Sequence, residues 1–128
     1  MKTEDVEKLP AIPDMSSSTL PLKAMIARYY IRDKKYDEAL PYLVTYKGKK
    51  GKWNNTDYYI LGYAYYQQKD YENAISQFNK IIGGKDFVAQ NGYYHLGQSY
   101  LNLNKKQEAL NAFKNASEMD FDASLKQE

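Results

Sequence analysis

Shifted along itself by 35 positions, the chain matches its own apolar pattern without a gap. The three aligned segments are LPLKAMIARYYIRDKKYDEALPYLVTYKGKKGKWN (20–54), NTDYYILGYAYYQQKDYENAISQFNKIIGGKDFVA (55–89) and QNGYYHLGQSYLNLNKKQEALNAFKNASEMDFDAS (90–124). Ala27, Gly62 and Gly97 share a column, as do Tyr30, Tyr65 and Tyr100. Ala39, Ala74 and Ala109 share another, followed four positions later by Leu43, Phe78 and Phe113. A period of this length means that one supersecondary unit recurs, and that each unit buries its apolar face against its neighbours.

Each unit reads as two helices. Tyr58, Leu61, Gly62 and Tyr65 lie at i, i+3, i+4 and i+7, which makes one apolar stripe at helical period. Tyr71, Ala74, Ile75, Phe78 and Ile81 or Ile82 repeat that spacing in the second helix. The polar runs QQKD and NLNKK are turns between them, with Asp70 placed to cap the second helix. The small residue on each stripe lets two backbones approach, and the aromatic opposite fills the gap. The expectation is an all-α chain of stacked helix pairs.

The pattern L-G-x-x-Y … A-x-x-x-F, in LGYAYYQQKDYENAISQF and LGQSYLNLNKKQEALNAF, resembles the tetratricopeptide repeat, whose unit is about 34 residues. The resemblance runs over 20–124, stronger in the second and third units than in the first. It implies a right-handed superhelical solenoid of three units, with residues 1–19 read as an extended or flexible N-terminal segment and 125–128 as a stub of a capping or continuing helix. Units two and three are also similar to repeat arrays of large envelope-associated bacterial proteins. That likeness favours a periplasmic or cell-envelope setting, with the cytosol as the alternative. Two features depart from the pattern. Pro41 lies inside a helix, where it removes a donor and is expected to kink or loosen it. The last unit ends with little to cover its apolar edge, so either a homodimer or a longer parent chain is expected.

Composition narrows the functions. There is no cysteine, hence no disulfide framework, thiolate metal site or cysteine nucleophile. His95 is the only histidine, so a histidine metal cluster or an acid–base triad cannot be assembled in one chain. It is expected on a helix surface or between units. Asp37 and Glu38 suit a helix start, and Asp120 and Asp122 lack the glutamate a calcium loop needs. The reading is therefore non-enzymatic, with no cofactor and no metal. No apolar run reaches the roughly 20 residues of a membrane span. The N-terminal MKTEDVEKLPAIPDM contains no signal-peptide core.

In the resembled fold the first helices line a concave face, and that assigns the candidate partner-binding residues. Positions beside the packing stripe give Arg28, Tyr59, Tyr63, Tyr66, Tyr94 and Gln98, with Arg32 and Asn102 nearby. Several tyrosines on one face suit an extended peptide or an amphipathic helix, because Tyr offers large contact area at low entropy cost. The carboxylate clamp by which some relatives hold chaperone tails is matched only by Arg28. The expectation is thus a protein-interaction module, scaffold or adaptor, with a protein or peptide partner.

The net charge is only +2, yet residues 20–54 hold nine Lys or Arg against three acids. Lys47, Lys49, Lys50 and Lys52 form a basic rim in KGKKGKW (47–53), the link between units one and two. Its glycines are too close together for a phosphate loop, and Trp53 replaces the required hydroxyl. Gly48 reads as a helix stop and Trp53 as an anchor for the next helix. Anionic-polymer binding through the first unit is the alternative function, with nucleic acid disfavoured by the near-neutral total. A spacer role within a longer array is the third.

Overall fold

The computed structural model describes residues 21–81 and 86–119. The N-terminal segment at 1–19, the carboxylates Asp120 and Asp122 and the terminal stub at 125–128 lie outside them, as do Ile82 and Gly83. Six α-helices are present among the described residues: α1 Leu22–Arg32, α2 Tyr36–Thr45, α3 Asn55–Gln67, α4 Tyr71–Phe78, α5 Phe87–Asn102 and α6 Lys106–Ser117. A single 3₁₀ turn, Asn79–Ile81, extends α4. The helices pack as pairs, α1 with α2, α3 with α4 and α5 with α6. The pairs join through α2 against α3, α4 against α5, and α3 against α5. This is an all-α helical repeat.

The same turn closes every pair. Lys34, Lys69 and Asn104 have φ of 61°, 64° and 60°, one left-handed residue per 35 positions. Around it the Lys35, Asp70 and Lys105 amides donate to the carbonyls of Tyr30, Tyr65 and Tyr100 at 2.8–2.9 Å. The Lys34, Lys69 and Asn104 amides donate to Ile31, Tyr66 and Leu101 at 2.9–3.0 Å. Together these are Schellman closures, which satisfy the last carbonyls of the preceding helix. Helix starts are more varied. Asn54 and Asp57 form a reciprocal capping box at α3, Asp86 caps α5 through the Ala89 amide, and the Asp70 side chain accepts from Asn73 at α4. Lys35 and Lys105 supply no side-chain cap.

Packing inside a pair follows the small-residue column. A Cβ at Gly62 would stand 2.7 Å from the Phe78 ring, and one at Gly97 would stand 2.6 Å from that of Phe113. Each ring therefore occupies the space that a missing side chain leaves. Helix α3 is wrapped by α2, α4 and α5 and buries Tyr59, Ile60, Leu61, Gly62 and Ala64, which spread round most of its circumference. Pro41 is exposed, and α2 runs through it to Thr45. Water can take up the carbonyl of Asp37 that the proline leaves without a donor. Gln90, fully buried, donates from Nε2 to the carbonyls of Ala116 (3.1 Å) and Met119 (3.0 Å). It thereby ties the end of α6 back to the start of α5.

Candidate partner-binding face

Three of the expected groove tyrosines surround a residue the sequence reading set aside. His95 on α5 has the rings of Tyr66, Tyr94 and Tyr63 at centroid distances of 5.1, 5.2 and 5.5 Å, nearly perpendicular to its own. Tyr59 (5.7 Å) and Phe78 (6.0 Å) lie beneath it. Its Nδ1 is 2.9 Å from the Asn91 carbonyl and 3.2 Å from the Tyr59 hydroxyl. A carbonyl can only accept, so Nδ1 carries the proton of the neutral ring and Nε2 keeps the lone pair. Burial among aromatic rings brings the pKa of His95 down from 6.5 to about 4, against the opposing pull of the Asn91 carbonyl. The imidazole is a fixed, uncharged centrepiece.

The expected residues divide by burial. Tyr63, Tyr66, Tyr94 and Gln98 are half-buried, and Asn102 is exposed. Gln98 donates to the Tyr94 hydroxyl at 3.1 Å, and Asn102 donates to the Gln98 carbonyl at 2.8 Å. Arg32, on α1, stacks its guanidinium 5.3 Å above the Tyr29 ring. Tyr59 and Arg28 sit inside the molecule instead. Tyr59 is 0 % exposed, and burial pushes its phenol pKa well up, so it supports the face from within. Arg28, 6 % exposed, lies 4.0 Å from Asp57 and shares its surroundings with Tyr46 and Trp53. Burial lowers the guanidinium pKa and raises that of Asp57, each partly offset by the other's charge. The reason is register: Arg28 falls beside the joint between units one and two, where α3 covers it. Four lysines, 47, 49, 50 and 52, are exposed on the turn.

His95 lies between units two and three, one of the two places expected for it. Sequence reasoning missed its position at the centre of the tyrosines, together with Asp57 and Gln90. A signal for His95 was present, since it aligns with Ile60 one period earlier and Ile60 is 2 % exposed. Asp57 and Gln90 stand outside the repeated columns, and only three-dimensional neighbours give them partners. Among the described residues no group of three His, Asp or Glu could hold a metal ion, and no helix is long and apolar enough to cross a membrane.

The helix pairs, the turn that recurs every 35 residues and the small-residue contacts are the geometry of a repeat family. A family model described as anaphase-promoting complex, cyclosome, subunit 3 matches residues 43–116, more than half of the chain. The chain belongs to that family, whose repeats are of the tetratricopeptide type. Comparison with curated proteins and with solved structures gives no match. Tetratricopeptide-type repeats are generally non-catalytic and serve as protein-interaction modules.

Proposed function

We propose that this tetratricopeptide-type array, with units at 20–54, 55–89 and 90–124, binds an extended peptide or an amphipathic helix of a partner protein. The contact face is Tyr63, Tyr66, Tyr94, Gln98 and Asn102, with Arg32 as the candidate contact for an acidic end. The observation that carries the reading is the ring of three half-buried tyrosines around His95. Each ring is already packed against His95, so binding would cost little further side-chain entropy. Gln98 is joined to Tyr94 through its side-chain amide, and Asn102 to Gln98, so the three form one continuous polar edge of the face. Arg28 and Tyr59 act as supports beneath this face rather than contacts.

The test is capture of the partner from source cells by wild type and by a Tyr63→Ala/Tyr94→Ala variant. The variant's cooperative melting is checked first. Loss of capture by a folded variant is the expected result. Undiminished capture by that folded variant would sink the assignment.

A further inference from the structure

A second concave surface lies away from the tyrosine ring, where the lysine turn meets α3 and α4. It is a cleft of about 410 Å³, lined among others by Val44, Tyr46, Trp53, Tyr58, Gln77 and Lys80. Its aromatic wall is built in advance. The Trp53 indole donates from Nε1 to the Tyr46 carbonyl at 2.9 Å and packs at a tilt against Tyr46 (5.9 Å, 36°) and Tyr58 (5.2 Å, 48°). The turn that carries it is closed by a Lys49–Lys52 bridge, with Gly48 and Gly51 at φ of 89° and 77°. Val44, 53 % exposed, forms an aliphatic lip.

The charge on this cleft has one sign. Lys80 holds its ammonium 5.4 Å above the Tyr58 ring, and the four exposed lysines lie in the turn that leads into Trp53. None of the described residues lining it is an Asp or Glu. We infer that this cleft is a second docking site, for an acidic, proline-containing peptide in extended conformation. Prolyl rings would lie on Trp53 and Tyr58, as aromatic-lined grooves receive polyproline II segments. Carboxylates would reach Lys80 and the turn. A nucleic acid fits less well. Strand tracking needs a basic groove over several nucleotides, whereas Lys80 is the one cation among the described residues that line this cleft.

Trp53 is the only tryptophan, so its emission reports the part of the molecule where this cleft lies. The experiment titrates the intact chain with a synthetic poly(Glu-Pro) peptide, a poly(Gln-Pro) peptide and an oligouridylate. A saturable change in Trp53 emission with the Glu peptide is expected. Lys80→Glu and Val44→Glu should each weaken it about tenfold, since a carboxylate at either place repels the ligand. Both positions border solvent, and unchanged melting of each variant separates lost binding from lost folding. The inference is overturned by no saturable change, by equal binding of the Gln peptide, by binding unaffected in the folded variants, or by tighter binding of oligouridylate. None of these outcomes touches the tyrosine ring.

Discussion

Gly48 and Gly51 are two glycines in one turn with unequal jobs. Both hold a positive φ that a side chain disfavours by about 1–2 kcal/mol. A Cβ at Gly51 would meet nothing within 4 Å, whereas one at Gly48 would run into the Lys52 carbonyl and stand 2.7 Å from Trp53 Cδ1. Gly51→Ala should therefore cost about 1 kcal/mol in chemical denaturation. Gly48→Ala should cost about 3 kcal/mol, because the turn must open to admit the methyl group. It should also shift Trp53 emission, since the indole's hydrogen bond to Tyr46 depends on that closure. Equal losses for the two variants would mean that strain in φ, not contact, sets the cost. At this scale KGKKGKW is a clasp: its glycines shape it and its lysines are what it displays.

The helix pair is where the repeated turn matters. Its left-handed position is filled by Lys34, Lys69 and Asn104, though glycine is the residue with no penalty there. Lys69→Gly should raise stability by about 0.5–1 kcal/mol, the relieved strain exceeding the entropy gained by the unfolded chain. A lower melting temperature for that variant would show that the lysine side chain contributes more than its backbone strain takes away. The elements were legible in the sequence because 35-residue self-similarity, helical stripes and turn residues agree on one answer. The small residue opposite an aromatic could be read too, since Gly62 with Phe78 and Gly97 with Phe113 repeat at the same period. The face was only half legible. Period arithmetic placed Tyr63, Tyr66, Tyr94 and Gln98 together, but exposure depends on which neighbour covers a helix. That is why Tyr59 and Arg28 ended inside. The Gln90 clasp and the Arg28–Asp57 pair join residues far apart in the chain that no periodic column predicts.

Across the whole molecule, the neutral His95 ties stability to acidity. Its pKa is about 4 when folded and 6.5 as the unperturbed reference. Between those values the unfolded chain binds the extra proton, so stability is full above about pH 6.5 and falls as the pH drops toward 4. The loss approaches about 3 kcal/mol. Asp57 works in the opposite sense near the acidic end, because its raised pKa makes the folded chain the better proton acceptor there. The His95 effect is thus cleanest just below pH 6.5. Urea titrations at a series of pH values should show this slope in wild type and lose it in His95→Gln. A slope that persists in the variant would assign it to other groups. The evenly spaced Schellman turns carry one more consequence. Since Lys34, Lys69 and Asn104 share a backbone conformation at equal intervals, they are natural splice points. A gene cut after Lys69 and after Asn104 frees a cassette that begins and ends in the same geometry. Copies of it could be inserted in frame, lengthening the array one module at a time without inventing a new joint.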